Sequence, residues 1–412
     1  MATHRRKSSA HSEADFFDIP DEPFFAIVKH QLRRIRTWAF IFVFILFVLF
    51  LRREPAPASA TPHINLDRVD WTRYAYTQYA TSSPYLCNAV LVFDALEKLG
   101  SRAQRVLYYP KKWDVIVESD HDRDSQLLRM ARDRYKAMLV PIELEMIKPD
   151  AGPEETWEKS ISKLLAFAET EYERVIHLDS DILVLQNMDE LFFLPHTPVA
   201  MPRAYWLLPE QRTLSSLLVV IEPSYRRFKT LLDAALSKEA DTSTSTGESE
   251  SESNSDSESE SANEKDKENK SSRTKYDMEI LNEFYGDSAM VLPHKQYGLI
   301  TGEFRTQNHT AFLGSDDEVW DPDRVLAEAK FVHFSDWPLP KPWVMWPHEM
   351  LADILPKCKN NPGTLHESGC RDRDLWMKLY DDFRIKRRDV CKLLSYPAPN
   401  WPPGNNPPTG GD

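Results

Sequence analysis

The feature that most constrains this chain is a regular alternation of short apolar runs and amphipathic segments across residues 73–184. RYAYTQYA (73–80), RVLYYP (105–110), VPIEL (140–144) and VIHL (175–178) are rich in β-branched or aromatic residues, which predicts strands. AVLVFDALEKLG (89–100), DSQLLRMARDRYKAM (124–138) and TWEKSISKLLAFAET (156–170) space their apolar residues helically, and Gly100 is suited to a left-handed C-terminal cap. Strands that alternate with helices build βα units, whose crossovers cover both faces of a mostly parallel sheet. The expected class is therefore α/β, and such sheets take ligands at the carboxyl ends of their strands.

The rest of the 412 residues sorts by composition. WAFIFVFILFVLFL (38–51) has no polar residue, and Ile35 to Leu51 with flanking arginines gives a spanning length. A cleaved signal peptide ending near APASA is the alternative, but 37 residues precede the run, which favours an uncleaved anchor. Seven Lys/Arg in residues 1–37 against four in 52–88 orient the N-terminus to the cytosol. The expected order is a cytosolic tail (1–34), a transmembrane signal anchor (35–51), a stem (52–64), one domain (65–395) and a Pro/Gly-rich tail (396–412).

Net charge is −13, but −9 of it lies between Glu239 and Glu268, inside a Ser/Glu-rich insert (239–273) with nothing to bury. Only −4 remains for the body, so no charge signature of nucleic-acid binding is present. Asn308-His309-Thr310 and Asn269-Lys270-Ser271 are glycosylation sequons, and a Cys358–Cys370 bridge is plausible in an oxidising compartment.

Asp-x-Asp occurs five times, yet only Asp179 and Asp181 follow a buried apolar strand. Two carboxylates leaving such a strand repel each other and are poorly solvated unless a cation neutralises them. Oxygen ligands of this kind suit Mg²⁺ or Mn²⁺, ions that also hold substrate phosphates. Further on, AKFVHFSDWPLPKPWVMW (329–346) brings His333 to the end of a short strand and Lys341 onto a stiff loop between two prolines. No Gly-x-Gly-x-x-Gly follows a strand, so a nicotinamide site has no direct support.

YERVIHLDSDILVLQNMDELFFLP resembles the nucleotide-sugar-binding stretch of glycosyltransferase family 8, and HFSDWPLPKPW resembles that family's His-Phe-x-Gly-x-x-Lys-Pro-Trp element. VAMPRAYW (199–206) and YGDSAMVLP (285–293) look closest to its fungal N-acetylglucosaminyltransferase-like branch. The resemblance implies a GT-A Rossmann-like domain that uses Mn²⁺ and a UDP-sugar donor and retains configuration at the transferred carbon. It implies metal ligation by Asp179, Asp181 and His333, and a diphosphate held by Lys341. Lys163 and Ser180 fall on the donor side, as do Tyr79, Thr81 and Tyr85 near the uracil and Ser215 and Ser216 near the sugar. Asp277 matches an acid beside the reacting carbon, with Asp181 also catalytic.

Three departures stand out: an eight-residue step from His333 to Lys341 in place of six, Asp336 at the glycine position, and Met278 for a glutamine. The implied function is transfer of a sugar, with N-acetylglucosamine first and glucose, galactose or glucuronate as alternatives, to a glycan or glycoprotein. The implied location is the Golgi membrane, type II, with the catalytic domain lumenal. Two rival readings are a haloacid-dehalogenase-type phosphatase and a non-catalytic tethered binding protein. The phosphatase needs Thr or Val at position 183, where Leu183 stands. Asp189, the third aspartate of the stretch, reads as a helix cap.

Overall fold

The computed structural model describes residues 66–143, 162–236, 276–336, 339, 341–345, 354–357, 371–393 and 396–397. The anchor, tail and stem segments expected before residue 65 lie outside these residues, as do the insert 239–273, Asn269, Cys358 and Cys370. Among the described residues no helix is long and apolar enough to cross a membrane. The chain divides into two units, Met1–Val69 and Asp70–Asp412. Of the first, only Leu66–Val69 is described, with a single helical turn at Leu66–Arg68.

The second unit is built on a seven-stranded sheet. Its strands are β1 (Tyr74–Tyr79), β2 (Gln104–Pro110), β3 (Met138–Ile142), β4 (Arg174–Leu178), β6 (Val199–Pro202), β7 (Leu218–Ile221) and β8 (Met290–Leu292), in the order β3-β2-β1-β4-β7-β6-β8. All pairings are parallel except those of β7, which runs against both β4 and β6. Two further strands, β5 (Ile182–Val184) and β9 (Phe331–His333), pair with each other off the main sheet.

One face of the sheet presents Ala75, Val106, Tyr108, Val175, Val199 and Val219 to a buried cluster. Leu164 and Phe167 join it from the segment before β4, Leu231 from α3 (Tyr225–Leu236) and Ile280 and Leu281 from α4 (Asp277–Tyr285). Alternate residues turn to the other face, where α1 (Ser83–Lys98) packs on β1 and β2. Residues Tyr85 to Leu96 of α1 are all buried, because the sheet, α2 (Arg123–Asp133) and the end of the C-terminal helix surround it. Each fully buried large apolar side chain contributes about 1.5–3 kcal/mol. Helix α5 (Pro322–Glu328), capped by Asp321, leads into β9, and α6 (Arg371–Lys386) continues into a wide turn at Arg387–Cys391.

Two sequence expectations change. The helix expected over 124–138 stops at Asp133, since Lys136 takes a left-handed φ of 56° and Met138 already belongs to β3. Tyr135 forces that stop: its ring is buried, its hydroxyl donates to Asp94 at 3.0 Å and its carbonyl accepts from Arg105 at 2.8 Å. Asp189 is not a cap. Its side chain is buried and accepts from Tyr76 at 2.8 Å and Ser101 at 2.7 Å, tying β1 and the turn before β2 to the Asp189–Phe193 turn. Gly100 does sit just past α1 with φ 78°, and a disulfide joins Cys87 of α1 to Cys391.

Candidate active site

Strand β4 ends at Leu178, and Asp179 keeps the sheet's hydrogen bonding for one more residue by donating its N–H to Leu217. The chain then turns through Ser180 and Asp181 into β5. Antiparallel pairing of β5 with β9 sets Ile182 opposite His333, and Phe334 N–H donates to the Asp181 carbonyl at 2.9 Å. This register brings together residues 152 apart: His333 Nε2 lies 3.0 Å from Asp181 Oδ1 and 3.6 Å from Asp179 Oδ2. One ligand atom from each of Asp179, Asp181 and His333 falls within 4.8 Å of the others. Two carboxylates and an imidazole nitrogen at that spacing fit Mg²⁺ or Mn²⁺ and leave coordination positions open for substrate oxygens.

Two lysines flank the acids. Lys163 immediately precedes Leu164, which with Phe167 docks in the core, and its side chain reaches the end of β4. Its ammonium sits 2.8 Å from Asp179 Oδ1, 2.7 Å from Asp277 Oδ2 and 3.3 Å from the Ser216 carbonyl. Lys341 donates to Asp181 Oδ2 at 2.6 Å and to the Phe334 carbonyl at 2.8 Å. The longer His333–Lys341 step therefore still returns the lysine to the acid pair.

Burial opposes charge throughout, and neighbours decide the outcome. Burial pushes the Asp179 carboxyl up, and the pull of Lys163 and His333 only partly offsets it. Burial acts on Asp181 too, but Lys341 and His333 outweigh it and hold that carboxyl well below the usual range. Lys163 is desolvated, yet Asp179 and Asp277 raise it well above an ordinary lysine. Burial and nearby Lys163 keep His177 neutral, its Nδ1 sharing a hydrogen bond with Thr77 at 2.9 Å.

Asp277 opens α4, where the helix N-terminus favours a carboxylate. Ser216 donates to Asp277 Oδ2 at 2.6 Å. The carboxamide of Asn282, which the sequence reading did not single out, exchanges two 2.8 Å hydrogen bonds with the backbone of Leu214. It thereby fixes α4 against the Leu214–Leu217 segment. An amide one turn into a helix gives no sequence signal until its partner strand is known.

The remaining expected residues separate. Tyr79, next to the acids through the β1–β4 pairing, stacks on His177 with ring centroids 5.7 Å apart. Thr81 lies on the following loop, and Tyr85 is one turn into α1 with its ring edge against Trp343. Ser180 is buried between the two acids of the turn. Ser215 is buried as well, its N–H donating to the Pro202 carbonyl. Asp336 is no ligand: it is buried against Arg305 at 2.8 Å and Trp376 at 3.3 Å and anchors the start of the longer loop. Met278 is half-buried in the first turn of α4. Asn308 is exposed, with Oδ1 accepting from the Thr310 N–H.

No protein-family model matches the chain. The protein named glucose N-acetyltransferase 1 of Aspergillus fumigatus is 62% identical over 390 residues, covering 94% of this chain and 95% of that protein. A protein of the same name from Gibberella zeae is 43% identical over 81% of this chain and 66% of its own length. Among solved structures, the bifunctional glycosyltransferase WbbM overlaps 78% of this chain and 50% of its own, at 12% identity and a TM-score of 0.45. The galactosyltransferase LgtC, at 12% identity and a TM-score of 0.40, overlaps 76% of this chain and 99% of its own.

Proposed function

The chain belongs to the family of the fungal proteins named glucose N-acetyltransferase 1, and from that premise we propose that it is a retaining glycosyltransferase of the GT-A type. In this reading it moves N-acetylglucosamine from a UDP donor to a glycan or glycoprotein. The carrying observation is the convergence of Asp179, Asp181 and His333 within 4.8 Å, with Lys163 and Lys341 in ion pairs on the acids. Such a set is matched to a diphosphate leaving group and its counter-ion; an acyl thioester expels a thiolate, and any diphosphate it carries lies far from the reacting carbonyl. The relatives' name couples glucose with an N-acetyl group, and N-acetylglucosamine unites the two. The likeness to glycosyltransferase family 8 in the two motifs supports the same assignment.

Asp179, Asp181 and His333 would hold Mn²⁺ or Mg²⁺, which when bound supplies charge stabilisation for the departing UDP. Lys341 would hold the diphosphate oxygens, a fixed cation where negative charge develops. Thr81, Tyr79 and Tyr85 would line the uracil end, with Ser180, Ser215, Ser216 and Lys163 toward the phosphates and sugar. Asp277 Oδ2 accepts from both Lys163 and Ser216, which occupies it and blunts it as a nucleophile. That favours attack on the same face as departure, the leaving phosphate oxygen taking the acceptor's proton while Asp277 stabilises positive charge at the reacting carbon. The disulfide Cys87–Cys391 supports an oxidising compartment, in keeping with a type II Golgi protein anchored through residues 35–51.

Calorimetric titration with UDP, with and without Mn²⁺, is the first test, followed by mass analysis of product from UDP-N-acetylglucosamine and, separately, acetyl-CoA. UDP-glucose, UDP-galactose and UDP-glucuronate complete the donor panel. The reading requires Mn²⁺-dependent UDP binding and addition of a whole sugar. An acetylated product, or full transfer by Asp181→Asn, would sink it.

A further inference from the structure

Arg387 takes no part in the chemistry above, yet it is buried at the junction of three segments. From the turn after α6, its Nη1 donates to the Pro84 carbonyl at 3.0 Å and to Asn88 Oδ1 at 2.5 Å, both in the first turns of α1. Its guanidinium lies over the Trp343 ring, 5.5 Å from the centroid, and Trp343 is two residues past Lys341. Around it the same segments are joined repeatedly. Arg384 donates to the Pro342 carbonyl at 2.8 Å, Phe383 packs on Trp343, Tyr85 meets Trp343 edge-on, and Cys391 is bonded to Cys87. The end of α6 thus holds α1 with one hand and the Lys341 loop with the other.

An apolar side chain would fill this space at lower desolvation cost than a guanidinium. What arginine adds is a planar cation whose Nη1 end reaches two oxygens while its plane lies over an indole, and that combination fixes a distance rather than merely filling volume. A second observation concerns what the two held segments present. Among the described residues, Thr81 Oγ1, just before α1, and Trp343 Nε1, just past Lys341, are buried without a hydrogen-bond partner. Buried polar groups ordinarily have one. A ligand received between the two segments would supply it.

We infer that Arg387 is a positioning residue for donor binding: it fixes the spacing between the Ala80–Ser82 loop and the Lys341 loop, the two walls between which the UDP moiety is held. This rests on the UDP-donor reading above. The C-terminal helix is then part of the donor site although none of its residues touches the donor.

The test is UDP titration in Mn²⁺ with the full chain, as wild type, Arg387→Met, Arg387→Lys and Asn88→Ala, alongside kinetics in which donor and acceptor are varied separately. Arg387→Met is expected to raise the UDP Kd and donor KM about tenfold or more, the scale of a misplacement remote from the chemistry, with acceptor KM unchanged. Arg387→Lys keeps the charge and a terminal donor without the planar group over Trp343 and should recover part of that loss. Asn88→Ala releases the grip from the α1 side and must weaken UDP in the same direction, which keeps the inference testable should Arg387→Met fail to fold. A purely structural Arg387 would lower Tm and leave donor KM at its wild-type value below both melting points; that result overturns the inference. If the wild type itself binds no UDP, the donor reading falls first and the inference with it. If the wild type binds UDP and the folded variants match it, only the inference falls.

Discussion

Replacing Lys163 with methionine removes one ammonium from between two carboxylates, and the consequences divide into parts that can be measured. Its nitrogen lies 2.8 Å from Asp179 and 2.7 Å from Asp277. At an effective dielectric of about 20, each such pair attracts by about 6 kcal/mol before any desolvation is charged against it. Burial offsets most of that, and stripping one partner from a buried pair costs about 3–5 kcal/mol net. Methionine retains the apolar stem, so lost packing contributes little.

The Asp179 carboxyl, already raised by burial, loses its strongest counterweight and rises further. A carboxyl whose folded pKa lies above its unfolded value contributes stability that is fully present below the unfolded pKa and is lost as pH rises through the folded one. The variant should therefore fall about 3–5 kcal/mol below wild type at pH 7, and the gap should narrow as pH drops toward the ordinary carboxylate range. Urea denaturation of both proteins across that range is the assay, repeated with Mn²⁺. Added cation should restore part of the loss by taking over neutralisation of Asp179. A deficit under about 1 kcal/mol, as for an exposed pair, or one that neither acid nor Mn²⁺ reduces, would refute the reasoning.

Three further predictions separate scaffold from site. Asp189→Ala strands the buried hydroxyls of Tyr76 and Ser101, at about 1–3 kcal/mol each, and should lower stability while kcat/KM holds; loss of activity in a folded variant would mean Asp189 does more than brace. Asp336→Ala removes the buried carboxylate that accepts from Arg305 and Trp376 and should cost about 1–3 kcal/mol, yet Mn²⁺-dependent UDP binding should survive; calorimetry that finds it abolished would make Asp336 part of the site. Burial raises Glu222, but Thr197 N–H, Arg174 and His196 outweigh it and hold the carboxyl below its ordinary value. Its stabilising effect is present above that ordinary value and lost as pH falls through the lower folded one. Denaturation midpoints of wild type and Glu222→Gln should therefore converge in acid, and parallel curves would contradict the shift.

The strands and their spacing were legible because each is a short apolar run between turn-formers, and β1, β2, β3 and β4 fall on the expected segments. Reversal of β7 was not, since Leu218–Ile221 is equally apolar in either direction and only its neighbours set its sense. Asp179 and Asp181 were marked by their place after a buried strand. His333 and Lys341 were marked by a strand end and a proline-flanked loop, but their meeting with the acids needed the likeness to a known motif, because the β5–β9 pairing that delivers His333 is written in no local pattern. Asp189 was misread for the converse reason. An acid before a helical turn looks like a cap, and only the fold reveals Tyr76 and Ser101 waiting for it. Arg387 offered no signal at all: one arginine in a basic run becomes an anchor only when α1 and Trp343 arrive from elsewhere in the chain.

The bond between Cys87 and Cys391 spans 304 residues of sequence. Nearly the whole second unit, from the first turns of α1 to the end of the C-terminal helix, is therefore a closed covalent ring. A protease that cuts once anywhere inside that ring opens it without releasing a fragment. The two pieces stay one molecule until a reductant separates them, so a nicked enzyme would migrate as intact chain on a non-reducing gel and as two bands on a reducing one.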